Sequence, residues 1–262
     1  MAGWAYVDGA FCPVEEARIP ILDPGFTRGD AVYDTVSVWN GAFFRLDDHV
    51  ERFFRSCARA RLAPPVEPDD VRRILAGGVE RGGLEDAYVQ AISTRGRFPS
   101  TAVRDPRLCI NTFMAFAVPY IWIIQPARQL EGIALVVADN RRTPPEAIDP
   151  RMKNFNWLDL QRGLFEALDR GGDTAVLCTP DGRLSEGPGF NVFAIRDGAL
   201  TTPRGNALEG ITRRTVLELA GLLGIPAREA DMTADDLRGA DEALICSTAG
   251  GIMPVATVDG AP

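Results

Sequence analysis

Lys153 is the only lysine in the chain; the rest of its 28 basic side chains are arginines. A guanidinium stays protonated at any usable pH, whereas a lysine amine can lose its proton and attack a carbonyl carbon to form a Schiff base. The alternative is an ordinary surface lysine in an arginine-rich chain. The residue types favour Lys153 as the catalytic candidate.

The neighbours of Lys153 are large and apolar, namely Met152, Phe155 and Trp157. Burial among such side chains would lower the pKa of the amine. Further apolar residues follow at the spacing of a helix with one buried face, which would fix the lysine just before it. This predicted face consists of Trp157, Leu160, Leu164 and Leu168, with Leu158 and Phe165 beside them.

Composition limits the kind of protein. With 262 residues, of which 46% are hydrophobic, the chain can form two lobes with their own cores. A net charge of −8 leaves no basic surface for nucleic acid or an anionic membrane, so a small-molecule substrate is expected. The five scattered cysteines favour free thiols in a reducing compartment, with neither disulfides nor a metal site. No leader or membrane-spanning apolar run is visible, so we expect a cytoplasmic protein.

The pattern predicts alternating strands and helices in two halves. Asp8-Gly9 and Asn40-Gly41 are typical of hairpin turns, and the loop 95–107 contains four arginines. We predict an N-terminal domain over 1–117, a proline-containing linker over 118–127 and a C-terminal domain over 128–262. Predicted helices are 47–62 with Asp47 or Asp48 as N-cap, 68–80, 157–168 and 211–223. Two short strands that turn at Asp8-Gly9 are predicted within 4–14. The other predicted strands are 33–39, 87–94, 108–116, 132–138, 174–178, 190–195, 199–202, 242–247 and 252–258.

Three further segments could bind a cofactor. Gly210, Ile211 and Thr212 open a predicted helix, whose N-terminus can hold a phosphate, although a capped helix without a ligand is commoner. Ser247, Thr248 and Ala249 precede two glycines that would let the backbone approach an anion, or simply form a turn. Glu186 lies beside a tight loop, from which it could meet a ring nitrogen or point to solvent.

Taken in order, KNFNWLDL around Lys153, EGPGFNVF around Glu186, and the Gly210–Thr212 and Ser247–Ala249 segments resemble the fold type IV pyridoxal-phosphate transaminases, the class IV aminotransferase family. The resemblance runs from Trp4 to Gly260 and includes GFTRGD, FRLDDH and TRG. Among members, the motifs are most similar to (R)-selective amine transaminases, with D-amino acid and branched-chain transaminases as relatives.

The resemblance implies an α/β fold with two domains, a small N-terminal α+β domain and a larger C-terminal barrel-like domain, with pyridoxal 5′-phosphate between them. Lys153 would form the Schiff base and move the substrate proton, and Glu186 would pair with the ring nitrogen. Pyridoxamine 5′-phosphate would be the intermediate, and the protein would be a homodimer. The implied cofactor-binding residues are Arg52, Lys153, Glu186, Gly210, Ile211, Thr212, Ser247 and Thr248.

The substrate side departs from the amine transaminases at three positions. Arg28 stands where a histidine is usual, Tyr88 where a phenylalanine is common, and Gln90 where a glutamate is. An additional cation would favour carboxylated donors, hence D-amino acids. The sole histidine, His49, is expected to pack or cap near its helix without a catalytic role. The implied substrate-binding residues are Arg28, Tyr33, Tyr88, Gln90, Arg97, Arg104, Trp157, Thr248 and Ala249, with Arg97 and Arg104 as alternative carboxylate binders.

The implied reaction moves an amino group from an (R)-amine or D-amino acid to an α-keto acid such as pyruvate. Within the same fold, the alternatives are a branched-chain L-amino acid transaminase and an aminodeoxychorismate lyase. From other classes, the alternatives are a Schiff-base enzyme without cofactor and a non-catalytic carrier of pyridoxal phosphate. Because family members end in a further helix, we also expect a C-terminal segment beyond Pro262.

Overall fold

The structure, a computed structural model, describes residues 3–262 and divides into two compact units. The first unit is Met1–Ile121 with Met152–Asn156, and the second is Trp122–Arg151 with Trp157–Pro262. The sequence predicts a linear division in which residues 128–262 form one domain. The structure differs at Met152–Asn156, because this short segment, which contains Lys153, makes its contacts within the first unit.

The first unit is a six-stranded sheet covered by two long helices. The strand order is β2-β1-β6-β5-β3-β4, and every neighbouring pair is antiparallel. The strands are β1 (Trp4–Val7), β2 (Ala10–Pro13), β3 (Ala31–Trp39), β4 (Ala42–Phe43), β5 (Ala87–Arg97) and β6 (Ile110–Pro119). The helices are α1 (Pro24–Arg28), α2 (Leu46–Arg59) and α3 (Pro68–Gly82), with short 3-10 turns at Val14–Glu16 and Pro106–Leu108.

Both predicted hairpin turns are confirmed. Asp8 and Gly9 have φ of 51° and 82°, and Asn40 and Gly41 have φ of 49° and 76°. Positive φ at both central residues matches the right-handed twist of the flanking strands. The first turn joins β1 to β2 and the second joins β3 to β4.

Helix α2 begins earlier than predicted. Its N-cap is Arg45, in the left-handed region with φ 55°, and neither Asp47 nor Asp48 caps it. Both aspartates lie in the first turn, where their charge stabilises the helix dipole. The apolar side of the helix buries Val50, Phe53 and Cys57 against the sheet, and Phe54 beside them is half-buried.

The arginine-rich loop is shorter than predicted because β5 continues to Arg97. Arg95 is buried, and its guanidinium donates to both oxygens of Asp30 at 2.8 and 2.9 Å and to the carbonyls of Ala60 and Arg61. These bonds hold the end of the strand in place. Arg95 is therefore a structural residue and not a solvated loop charge.

The second unit is a seven-stranded mixed sheet with the order β11-β10-β9-β12-β13-β7-β8. Its main core consists of apolar residues from β7, β8, β9, β12 and β13. The strands are β7 (Ile133–Arg141), β8 (Thr174–Cys178), β9 (Asn191–Arg196), β10 (Ala199–Pro203), β11 (Ala227–Ala230), β12 (Glu242–Ser247) and β13 (Gly251–Val258). The helices are α4 (Pro126–Glu131), α5 (Leu158–Asp169), α6 (Ile211–Leu222) and α7 (Ala234–Arg238).

The buried face of helix α5 agrees with the prediction only in part. Leu160 is buried and Trp157 and Leu164 are half-buried, as expected, but Gly163 and Ala167 complete the buried face. The backbone at Gly163 lies so close to Leu177 that a Cβ there would stand 2.6 Å from its side chain. Small residues thus bring the helix close to β7 and β8. The predicted contributors Leu158, Phe165 and Leu168 are exposed by 78%, 68% and 52%.

Four short elements were not predicted: α1, α4, β11 and α7. Each is only four to six residues long, too short to show a periodic pattern. Among residues 3–262, no helix combines the length and the apolar character needed to cross a membrane.

Candidate active site

The main chain of Lys153 is held on both sides by the first unit. Its N–H donates to Ser56 Oγ at 3.1 Å, and its carbonyl accepts from the N–H of Tyr33 at 2.9 Å. The next residue, Asn154, forms an antiparallel bridge with Val32. The lysine is therefore positioned by α2 and β3, whereas the sequence suggested that the following helix would position it.

The amine of Lys153 lies over an aromatic ring. Its Nζ is 4.6 Å from the ring centroid of Tyr33, within range of a cation–π interaction. Tyr33 is buried and packs on Phe155, with 4.5 Å between ring centroids. Tyr33 was predicted to line the substrate pocket, and the structure places it beside the lysine.

Arg52 belongs to a buried charge cluster. Its Nε donates to Asp34 Oδ2 at 2.7 Å and its Nη2 to Asp34 Oδ1 at 2.8 Å. Burial alone would raise the pKa of Asp34, but the charge of Arg52 and hydrogen bonds from Arg52 and His49 hold it well below its usual range. Asp34 is thus ionised, and it fixes the plane of the guanidinium.

His49 completes this cluster in the first turn of α2, consistent with the predicted packing role. Its Nδ1 lies 2.7 Å from Asp34 Oδ1, and since an ionised carboxylate can only accept, Nδ1 carries the proton. Within residues 3–262, Nε2 is buried without a hydrogen-bond partner. Burial lowers the pKa of His49, and the hydrogen bond to Asp34 opposes this only in part.

Tyr88 and Gln90 meet at Thr35. The hydroxyl of Tyr88 is 3.4 Å from Thr35 Oγ1, and Gln90 Nε2 donates to the same oxygen at 3.1 Å. Burial raises the pKa of Tyr88, so its hydroxyl stays neutral. The two predicted pocket residues therefore form one polar group on neighbouring strands β3 and β5.

The three predicted carboxylate binders are all exposed arginines. Arg28 ends α1, and its guanidinium lies 5.8 Å from the ring centroid of Phe98. Arg97 ends β5, and Arg104 lies in the loop that follows. In the described part of the chain, no acidic side chain pairs with Arg28, since Asp30 is bonded to Arg95. All three arginines belong to the first unit.

In the second unit, Glu186 is buried and held by two donors. Its Oε1 accepts from Arg142 Nη2 at 2.8 Å, and its Oε2 accepts from the N–H of Leu208 at 3.0 Å. Arg142 also donates through Nη1 to Asp159 at 2.6 Å. Each carboxylate oxygen can accept more than one hydrogen bond, so Glu186 keeps capacity for a further donor.

Asn191 contacts the segment at the start of α6 that is predicted to bind phosphate. Gly210 is the N-cap of α6, and Ile211 and Thr212 form its first turn. Asn191 Nδ2 donates to the carbonyl of Leu208 at 3.0 Å, and a Cβ at Gly210 would stand only 2.0 Å from Asn191 Oδ1. Glycine is needed at this position, and the first N–H groups of the helix are available for an anion.

The turn that follows β12 is held by hydrogen bonds of the Ser247 side chain. Ser247 Oγ donates to the carbonyl of Gly189 at 2.7 Å and accepts from the N–H of Ala249 at 3.1 Å. Thr248, between them, is half-buried. Trp157 packs against the core below α5 and close to Gly189. These predicted residues therefore share one region of the second unit.

Three site residues were missed from sequence: Asp34, Arg142 and Asp159. Asp34 lies between Tyr33 and Thr35 on a buried strand, and Asp159 lies in the first turn of α5. A charge on a fully buried strand is rare unless it is paired, which was an available signal for Asp34. No comparable signal marks Arg142 within an arginine-rich chain.

A single lysine with a fixed backbone and a buried glutamate with spare accepting capacity are residue types that Schiff-base enzymes with a pyridine cofactor use. Residues 31–258 match the family model described as amino-transferase class IV. The chain therefore belongs to this family, whose fold is fold type IV, and it is a pyridoxal-phosphate-dependent aminotransferase.

Relatives with two different specificities are similar to this chain. A putative branched-chain-amino-acid aminotransferase from Methanocaldococcus jannaschii is 31% identical, over 97% of this chain and 88% of the relative. A D-alanine aminotransferase from Listeria monocytogenes is 30% identical, over 94% and 84%. The solved branched-chain amino acid aminotransferase from Thermobaculum terrenum in its PLP form superposes with a TM-score of 0.82 at 27% identity, covering 98% of this chain and 86% of that one.

Proposed function

We propose that this aminotransferase moves an amino group from a D-amino acid or an (R)-amine to an α-keto acid such as pyruvate, with carboxylated donors preferred. Lys153 carries the cofactor and moves the proton at the substrate carbon. The single-lysine composition supports this role, because no other amine in the chain can replace it. The fixed backbone of Lys153 leaves only its side chain to move.

The charges of the second unit fit a protonated pyridine ring. Glu186, Asp159 and Arg142 carry two negative charges and one positive charge, and their side chains are only 10–12% exposed. The three side chains together therefore carry one unbalanced negative charge, in a region with little access to solvent. A protonated ring nitrogen would balance this charge. When bound, pyridoxal phosphate supplies an electron sink for the bond that breaks at the substrate carbon. Glu186 holds the ring proton that this sink requires.

The phosphate of the cofactor is assigned to Arg52, Ile211, Thr212 and Thr248, with Gly210 and Ser247 shaping the two loops. Arginine presents a planar fork suited to phosphate oxygens, and Asp34 already fixes the plane of Arg52. The first turn of α6 contributes N–H groups and a partial positive charge.

The preference for a carboxylated donor rests on Arg28. It lies at the end of α1, three residues before the start of β3, the strand that contains Tyr33. The ring of Tyr33 lies beside the amine of Lys153. No acidic side chain described in the structure pairs with Arg28. A cation without a counter-ion can bind the carboxylate of an amino acid or keto acid. A simple amine has no such group.

The D configuration is supported by the D-alanine aminotransferase relative and by the motif resemblance to (R)-selective enzymes. A branched-chain L-amino acid is the second candidate, because a relative with that putative activity is 31% identical over 97% of this chain. We also propose a cytoplasmic homodimer. Free cysteines and the family resemblance support this assignment, and light scattering of the purified protein tests the dimer.

A donor panel tests the substrate assignment. The holoenzyme is mixed without keto acid with D-alanine, both enantiomers of 1-phenylethylamine, L-leucine or aminodeoxychorismate, and loss of the cofactor's visible band is followed. We expect D-alanine to react fastest, followed by the (R)-amine. A faster reaction with L-leucine would establish the branched-chain alternative, and pyruvate formed from aminodeoxychorismate would indicate a lyase.

A further inference from the structure

Arg142 stands between two carboxylates at the point where β7 ends. Its main-chain N–H donates to the carbonyl of Cys178, 2.9 Å away at the end of β8. Its guanidinium reaches Asp159 through Nη1 and Glu186 through Nη2, at 2.6 and 2.8 Å. Both the start and the tip of the side chain are therefore fixed.

Asp159 is itself firmly held, so it can anchor Arg142. The N–H of Thr143 donates to Asp159 Oδ2 at 2.7 Å, and the N–H of Leu160 donates to Oδ1 at 2.8 Å. Burial raises the pKa of Asp159, but these N–H groups and Arg142 outweigh the effect and lower it. Asp159 remains a charged anchor in the first turn of α5.

The Glu186 carboxylate is fixed from two directions. Arg142 bonds to one oxygen and the N–H of Leu208 to the other, so rotation of the carboxylate would break a hydrogen bond. Of the two donors, only Arg142 carries a charge. Its positive charge lies 2.8 Å from the carboxylate, where both side chains are largely shielded from solvent, so water screens the attraction between them only weakly.

We propose that Arg142, anchored by Asp159, is a positioning residue that orients the Glu186 carboxylate toward the cofactor's ring nitrogen and supplies the positive charge beside it. This inference rests on the role proposed above for Glu186. Without Arg142, the carboxylate would be free to turn away from the ring and would lose the cation beside it. With Arg142 but without Asp159, the positive charge would act on Glu186 alone.

The test compares Arg142→Gln, Asp159→Asn and the unmodified enzyme by the pH profile of the half-reaction with the best donor of the panel. Arg142→Gln removes a cation beside Glu186, so the acid limb of the profile should move to higher pH by about one unit or more. Asp159→Asn removes an anion and should not move that limb upward. A change that acted only through packing would not separate the two variants in this way.

Cofactor affinity gives a second readout that does not depend on turnover. Equilibrium dialysis of the holoenzyme should show pyridoxal phosphate released from Arg142→Gln at about ten-fold higher free concentration, because a charge-assisted contact that orients its partner is lost. Arg142→Lys keeps the positive charge but lacks the planar guanidinium that contacts both carboxylates. We expect it to retain the acid limb of the unmodified enzyme and to recover only part of the affinity.

Arg128→Gln is the matched control. Arg128 also bridges two carboxylates, Asp173 and Glu131, but it contacts none of the residues assigned to the site. Its variant should leave both the pH profile and cofactor release unchanged. If Arg142→Gln does not fold, as judged by circular dichroism, Arg142→Lys and Asp159→Asn decide the matter by the same two measurements.

The outcomes separate the inference from the proposal on which it rests. If Glu186→Gln leaves cofactor release and half-reaction rate unchanged, Glu186 does not serve the ring nitrogen and the proposed function is wrong at that point. If Glu186→Gln is impaired but Arg142→Gln shows the acid limb of the unmodified enzyme, the role of Arg142 is wrong. An upward shift of the acid limb in Asp159→Asn, or in Arg142→Lys, would also overturn it.

Discussion

At the scale of single residues, Lys153 combines a fixed backbone with a side chain that lies against Tyr33. Two main-chain hydrogen bonds hold the residue, to Ser56 and from Tyr33, so the position of Cα is set before any substrate arrives. Orienting a reacting group in advance removes much of the entropic cost of reaction. The amine then needs only rotations about its own side-chain bonds.

Replacement of Lys153 should abolish transamination. Lys153→Ala removes the chain's only lysine amine, and Lys153→Arg supplies a group that cannot deprotonate. We expect turnover of either variant to fall by at least about three orders of magnitude, the scale seen when a nucleophile is removed. Thermal melts should show both variants folded. Turnover above a few per cent in a folded variant would remove Lys153 from the chemistry.

A separate prediction concerns Arg28 and substrate specificity. A charge-assisted hydrogen bond is worth about 1.5–3 kcal/mol, so Arg28→Ala should raise KM for D-alanine and pyruvate about ten-fold or more. The half-reaction with (R)-1-phenylethylamine should change little, because this donor has no carboxylate. Arg162→Ala, which removes an exposed arginine on α5, is the control.

The contrary results for Arg28 are informative. If both kinds of donor weaken together, the residue acts on the fold or cofactor and not on the carboxylate. If neither weakens, Arg97→Ala and Arg104→Ala are the next variants to assay, since both arginines are also exposed and were predicted from the same loop.

The lysine and the glutamate could be found from sequence because their residue types and local motifs are unusual. Asp34, the partner of Arg52, and Arg142, the partner of Glu186, were not found. Arg52 and Asp34 are 18 positions apart, and Arg142 and Glu186 are 44 positions apart. Such ion pairs depend on which strands and helices become neighbours, and a single sequence does not carry that information in local periodicity.

At the scale of elements, the strand β5 shows how one residue shapes the end of an inner strand of the first sheet. The pairing of β5 with β6 shifts register between Thr94 and Arg97, which indicates a bulge. Gly96 lies in this bulge with φ of 76°, and a Cβ there would stand 1.9 Å from the carbonyl oxygen of Ile110. The bulge allows Arg95 to remain buried beside Asp30.

Gly96→Ala should therefore destabilise the first unit strongly. The substitution combines left-handed backbone strain with displacement of β6, and we expect a loss of about 2–4 kcal/mol in the free energy of unfolding. Gly198→Ala is the matched control, because Gly198 has a similar φ of 73° but open space around it, so only the strain of about 1–2 kcal/mol remains. Equal losses in urea unfolding would contradict the steric argument.

Elements with local signals were predicted well, and those decided by packing were not. The Asp8-Gly9 and Asn40-Gly41 hairpins follow from turn chemistry alone. The buried face of α5 does not, because Gly163 and Ala167 are selected by the closeness of the helix to β8, while larger apolar side chains remain exposed. Likewise, Arg45 was not expected as the N-cap of α2, since non-glycine residues seldom adopt positive φ.

At the scale of the whole molecule, the sequence indicates two cores, and the structure has two units with separate sheets. The assignment of Met152–Asn156 to the first unit could not be predicted. It depends on hydrogen bonds between Lys153 and two residues far away in sequence, Ser56 and Tyr33. The result is that the catalytic candidate and its helix α5 are assigned to different units, although only four residues lie between Lys153 and Leu158.

The sole histidine makes the stability of the molecule depend on pH near neutrality. His49 is buried, and burial lowers its pKa, so the folded protein keeps the ring neutral while the unfolded chain takes up a proton below about pH 6.5. The unfolded state then binds more protons, and stability falls as pH falls through this window. The depressed pKa of Asp34 acts in the same direction, but only below its unfolded value near 3.8.

We therefore expect the free energy of unfolding to decrease between pH 6.5 and 5.5 by up to about 1.4 kcal/mol, the maximum for one proton over one pH unit. Urea unfolding at the two pH values measures this change. Because there is no other histidine, His49→Gln should remove most of the slope in this window, whatever its effect on stability at pH 7. An unmodified protein without the slope, or a His49→Gln variant that retains it, would show that His49 is not the group that titrates.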